Sequence, residues 1–154
     1  MFHASDQIHI ALPRWQAAET SINLAGWPAW LGLRGVPRLN TNGSLQPGSI
    51  IELDASILLV RVTLHMRVDE YLPGYYLALQ NTHSKLPLTA QLDWEDERGD
   101  RTLMRLKLAG SLPALPWPLR PLAELAATVT FQRACIRWLA RLRRASERKE
   151  CQLA

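Results

Sequence analysis

No run in this 154-residue chain approaches the ~20 consecutive apolar residues that a membrane-crossing helix needs. The opening segment Met1-Phe2-His3-Ala4-Ser5-Asp6 lacks the basic stretch and apolar core of a secretory signal, so a cytoplasmic address is expected by default. Cysteine is nearly absent. Cys135 and Cys151 lie in what reads as one C-terminal helical region, which holds them well beyond the ~7 Å that a bridge can span, so a disulfide framework is excluded. No Cys/His spacing fits a zinc site, and no metal or cofactor is expected. Cys135 reads as a small buried apolar residue.

Charge is sparse too, at 21% against 47% hydrophobic residues, a balance that excludes global disorder. The length suits a single domain, expected over residues 1–148, with 149–154 as a disordered tail. The net charge of +4 is unevenly spread. Between Arg133 and Lys149 stand Arg133, Arg137, Arg141, Arg143, Arg144, Arg148 and Lys149, with Arg120 just upstream, against Glu147 alone. The remainder is near neutral, so the chain carries one basic helix face and is not basic throughout.

What is present is alternation. Gln7 to Leu12 alternates apolar and polar side chains, the period of a half-buried strand. Pro13 then introduces a short helix over Arg14 to Asn23, and Leu24 to Leu31 reads as a second helical turn with Trp30 plugged into the core. A brief strand is expected over Val36 to Asn40, closed by a turn at Asn42-Gly43. Ser49–Ser56, Val60–Val68, Tyr75–Thr82, Leu88–Glu95 and Arg101–Leu108 follow as strands, with turns at Pro73-Gly74 and Asp96 to Asp100. The cleanest sets Val60, Val62, Leu64, Met66 and Val68 against Arg61, Thr63, His65 and Arg67. Strands joined by short turns with no helix between them make an antiparallel meander.

Ser111 to Pro121 holds four prolines and is expected to be extended. From Leu122 to about Arg148 neither proline nor glycine occurs, and Leu, Ala and Arg dominate, which predicts one long helix. Leu122, Leu125, Val129, Ile136 and Leu139 share one side; Phe131, Cys135, Trp138 and Leu142 lie on the adjacent one. So broad an apolar arc suits a concave sheet wrapped around the helix.

The order is one strand, two short helices, the remainder of six to seven antiparallel strands, then a long C-terminal helix. In this order the chain resembles the START-like (SRPBCC) superfamily, an α+β helix-grip fold, and within it the polyketide cyclase/dehydrase-like branch. The likeness rests on Trp27-Pro28-Ala29-Trp30 followed by Gly35-Val36, on Pro47-Gly48-Ser49 entering a strand, and on Arg67-Val68-Asp69-Glu70 before a proline-bearing turn. The resemblance implies a cavity between sheet and helix that takes lipids, polyketides or similar apolar molecules. It implies either a carrier or an aromatase, cyclase or dehydratase, and fold alone does not choose.

The residues expected to line such a cavity are Trp30, Val62, Leu64, Met66, Leu77, Leu79, Leu92, Met104, Leu106, Leu122 and Val129; the alternative is that they fill a solid core. Candidate acid/base groups are His83, near a strand end, together with Glu70 and Tyr75. Surface, turn and edge roles compete for all three. Arg133, Arg137, Arg141, Arg144 and Arg148 recur at steps of four, four, three and four, so they share one helix face. Such a face either keeps the domain solvated or meets an anionic membrane surface. Nucleic acid is not expected as a partner, because no aromatic stacking platform accompanies the arginines.

Overall fold

The computed structural model of the chain describes residues 2–33, 35–40, 45–57, 60–82, 87–111 and 118–153. The elements are β1 (Phe2–Ile10), α1 (Arg14–Ile22), a 3-10 turn (Leu24–Gly26), α2 (Trp27–Leu31), β2 (Arg38–Leu39), β3 (Ile50–Ile57), β4 (Val60–Leu72), β5 (Tyr76–Asn81), β6 (Leu88–Glu97), β7 (Arg101–Gly110) and α3 (Arg120–Leu153). All seven strands form one antiparallel sheet in the order β1-β7-β6-β5-β4-β3-β2. β3 to β7 are the expected meander, and β1 adds along the outer side of β7. The sheet is curved around α3, and in β4 the register shifts between Val68 and Glu70, where an extra residue bends a strand.

Period-two patterning decides what faces inward. Leu77, Leu92 and Leu106 pair across β5, β6 and β7, and the next inward row is Leu79, Ala90 and Leu108. Ile51 and Leu53 of β3 pair with Met66 and Leu64 of β4. The same strands carry their charges on the outer face, where Arg105 of β7 meets Asp93 at 3.4 Å and Glu95 at 2.9 Å. Ile57 is paired with Val60, which sets the register that the continuous apolar run Ile57-Leu58-Leu59-Val60 conceals; Leu58 and Leu59 lie outside the described residues, as do Asn42 and Gly43.

The short helices close one end of the sheet. The Pro13 carbonyl accepts the first bond of α1 from the Ala17 N–H at 2.9 Å. Ala17, Ala18 and Ser21 then form a small-residue face that lets α1 sit close to β6 and β7. Ser21 is fully buried, and its hydroxyl donates to the Ala17 carbonyl and accepts from the Trp94 indole N–H, while its own carbonyl accepts from Trp27 Nε1 at 2.8 Å. α2 carries Pro28 in its first turn and stops at Gly32, whose left-handed φ of 70° suits glycine.

α3 starts two residues before the expected Leu122, with Pro121 in its first turn, where the missing N–H costs nothing. It remains helical as far as Leu153, through the segment expected to be a disordered tail. Its rotation is set by two contacts with β1. The Phe131 ring stacks on Phe2 at 5.1 Å, nearly parallel. The Gln132 side-chain amide accepts from the Ser5 N–H at 3.0 Å and donates to the Ser5 carbonyl at 2.6 Å.

This rotation buries Ala127, Phe131, Ala134, Cys135, Leu139 and Leu142. Of the two apolar sides read from sequence, the Phe131 side faces the sheet. The other faces solvent except at the buried Leu139: Leu122 is 69% exposed and Val129 45%, with Leu125 and Ile136 also exposed. Desolvation, and secondarily the Asp6 carboxylate, push the Cys135 thiol up to about 12 from its ordinary 9.0. With Cys151 replaced by serine, Cys135 is therefore expected to resist a thiol reagent in the native state and to react once urea is added; rapid native labelling would contradict this burial. Between 9.0 and about 12 the unfolded thiol has lost its proton while the folded one keeps it, so this group's contribution to stability falls as pH rises through that window.

Candidate functional site

A cavity of about 340 Å³ lies between the concave face of the sheet, α2 and the middle of α3. This is within the ~300–1,000 Å³ typical of small-molecule sites. Its sheet wall consists of Leu53 and Ala55 from β3, Leu64 and Met66 from β4, Leu79 from β5, Leu88, Ala90 and Leu92 from β6, and Leu106 and Leu108 from β7. Trp27, Trp30, Leu31, Gly32 and Leu33 form one end, the two indoles meeting edge to face at 6.3 Å. α3 supplies Thr130, Phe131, Ala134, Arg137, Trp138 and Arg141.

The void has a local cause. Ala90 sits in the row between Leu79 and Leu108, Ala55 stands on the β3 wall, and Ala134 stands on the helix. These small side chains leave unfilled the space that a Leu or Phe at the same positions would occupy.

Six residues expected at the cavity line it: Trp30, Leu64, Met66, Leu79, Leu92 and Leu106. Val62 is half-buried against the core without lining the cavity. Leu77 and Met104 are fully buried in the packed region instead, where Met104 sulfur lies 3.4 Å from the Ser21 hydroxyl. Leu122 and Val129 are excluded by the rotation of α3, which turns them to solvent.

The candidate acid/base groups are not gathered at the cavity. Tyr75 is exposed, with the Arg14 guanidinium 3.6 Å from its ring centroid. Glu70 is exposed at the β4 bulge, and its carboxylate adds to the burial that raises the Tyr76 phenol above its ordinary value. His83 lies outside the described residues. Among the described residues, no three His, Cys, Asp or Glu side chains converge as metal ligands would.

Residues with polar side-chain groups do line the cavity. Trp30 is 3% exposed, and its indole N–H has no acceptor among the described residues. Thr130 contributes a hydroxyl. Arg137 and Arg141 are exposed, so they stand where the cavity opens to solvent. Arg141 lies over α2: a Cβ added at Gly32 would sit 3.4 Å from its Nη1. Of the arginine stripe, Arg133 and Arg144 are exposed and line no part of the cavity, and the Arg148 side chain is outside the described residues.

No family model matches the chain, and no curated protein does either. Solved structures do. The Zhui aromatase/cyclase from a Streptomyces species superposes with a TM-score of 0.75 at 15% identity, over 96% of this chain and 94% of that one. A START superfamily protein from Mycobacterium smegmatis matches over the whole of both chains, with a TM-score of 0.67 and 14% identity. The di-domain ARO/CYC BexL covers 95% of this chain, which spans 50% of that protein, with a TM-score of 0.66 and 17% identity. At such identities the likeness is one of fold. Taken with the curved seven-stranded sheet and its long C-terminal helix, it shows that this chain has the START-like helix-grip fold.

Proposed function

We propose that the protein binds an apolar small molecule, lipid or polyketide-like, between the sheet and α3. The observation that carries this reading is the cavity itself, with its wall of leucine, alanine, tryptophan and phenylalanine side chains. Enclosing an apolar ligand there removes its surface from water at roughly 25 cal/mol per Å².

The same fold is found in the Zhui aromatase/cyclase and BexL, so an aromatase, cyclase or dehydratase using this cavity is the alternative. Binding is favoured because, among the described residues, the only ionisable side chains lining the cavity are Arg137 and Arg141. Guanidinium groups stay protonated and are poor proton-transfer groups at neutral pH. The test is native mass spectrometry of the purified protein with organic extraction, followed by titration with Nile red as an apolar probe. Co-purification of an apolar species, or stoichiometric Nile red binding, is the expected result. A clean apo mass together with no Nile red binding would overturn the proposal.

One further observation favours docking on an anionic bilayer as a loading step. Leu122, Leu125, Val129 and Ile136 are exposed in a row along α3, with Leu119 exposed just before it, beside the exposed Arg133, Arg137 and Arg144. Basic residues near such a surface contribute about 1 kcal/mol each, and the apolar row suits shallow insertion. Sedimentation with phosphatidylglycerol-containing vesicles is expected, weakening with salt and on Leu122→Ser plus Val129→Ser. Failure to sediment with these vesicles at low salt would remove this reading.

A further inference from the structure

The polar groups of the cavity share one hydrogen-bonding sense. The guanidinium groups of Arg137 and Arg141 are donors only, and the Thr130 hydroxyl can donate as well as accept. Among the described residues no carboxylate lines the cavity, and neither Arg137 nor Arg141 makes an ion pair. The other charged residues of α3 are otherwise engaged or differently placed. Arg143 is 3.3 Å from Glu147, and Arg144 Nε reaches its own helix at the Ala140 carbonyl.

We infer that the ligand is an amphipathic acid. Its apolar body fills the cavity, and an anionic oxygen head, carboxylate or phosphate, is held at the mouth by Arg137 and Arg141. The two arginines are one helical turn apart on one face of α3, so their forks can converge on one head. Arginine is the side chain whose planar fork matches such oxygens in pairs. An amine head would instead bring like charge to two cations, and a plain alcohol would leave both without a counter-ion.

This inference rests on the binding reading above, and its test separates the two. Decanoate, decyl phosphate, decanol and decylamine are titrated at neutral pH against the full chain, with tryptophan fluorescence as the readout. At least one of the two acids is expected to bind about tenfold or more tighter than decanol, with decylamine weakest. The tighter acid identifies the head. In Arg137→Gln plus Arg141→Gln, the preferred acid should lose its advantage over decanol measured in that same variant. Arg133→Gln plus Arg144→Gln makes the same change of charge on the same helix outside the cavity, and should leave the preference intact.

Equal binding of both acids and decanol by the native chain overturns the assignment of the head and leaves apolar binding standing. Equal weakening in the two double variants also overturns it, because the preference then reflects the general field of the helix. No binding of any of the four, by protein of native circular dichroism, overturns both readings.

Discussion

Replacing Ala134 with phenylalanine is expected to abolish Nile red binding, or weaken it at least about tenfold, while the protein stays folded. Ala134 is buried on α3 and lines the cavity, facing a sheet wall that contains Ala90 and Ala55. Most large substitutions at buried sites force neighbours off their rotamers, at about 1–3 kcal/mol. Here a void of about 340 Å³ receives the added ring, so the transfer gain of a buried aromatic offsets much of the strain. The small helix-propensity loss of Phe relative to Ala, within about 0.7 kcal/mol, does not change the sign of that balance. Ala90→Phe approaches the same void from the sheet and should act alike. Native-like urea midpoints with lost binding would tie the void to the ligand. Undiminished Nile red affinity in both variants would place the probe elsewhere.

The second large effect is expected far from the cavity, at Gly110. A Cβ built there would lie 2.6 Å from the Phe2 ring and 2.6 Å from the Pro87 carbonyl oxygen. One obstacle is backbone and cannot rotate away. The other is a ring stacked on Phe131, so displacing it disturbs the seating of α3 on β1. Gly110→Ala should therefore cost about 2–3 kcal/mol, at the upper end of overpacking. In a domain of this length that lowers the melting temperature by roughly 4–12 °C. Combining it with Phe2→Ala tests the cause. If the ring is half the problem, the two losses will sum to more than the double variant shows, a coupling of about 0.5–3 kcal/mol. Strict additivity would assign the whole cost to Pro87.

The sheet was legible because its signal is local. In Val60–Val68 each residue declares its face by alternation, and β4 runs through this segment and on to Leu72. The buried Trp30 and the turn at Pro73-Gly74 were likewise carried by short-range chemistry. β1 was read as starting at Gln7, because Phe2 and Ala4 are too few apolar residues to reveal a strand before β7 pairs with them.

The rotation of α3 was not legible. Two adjacent apolar stripes fit the helical period equally well, and the choice is made by Phe2 and Ser5, more than a hundred residues earlier in the chain. Leu122 and Val129 were expected inward for that reason, and Arg137 and Arg141 were grouped with a solvated or membrane-facing stripe. The cavity itself was sought among large apolar residues. That criterion found the fully packed Leu77 and Met104, whereas the space is marked by Ala55, Ala90 and Ala134. Small residues at inward strand positions are the signal that could have located it.

The Gln132 clamp has a meaning beyond fixing a helix. A sheet that ends in a strand offers unpaired backbone groups to any other strand that drifts alongside, including one from a second copy of the same chain. At the β2 end the two residues Arg38 and Leu39 cover β3 at Glu52 and Ile51. At the β1 end a full-length strand is exposed to that risk, and there the Gln132 amide presents one C=O and one N–H to Ser5, as a neighbouring strand would. The side chain thus acts as a one-residue counterfeit strand. It occupies the growing end of the sheet at Ser5, where an added strand would have to bond.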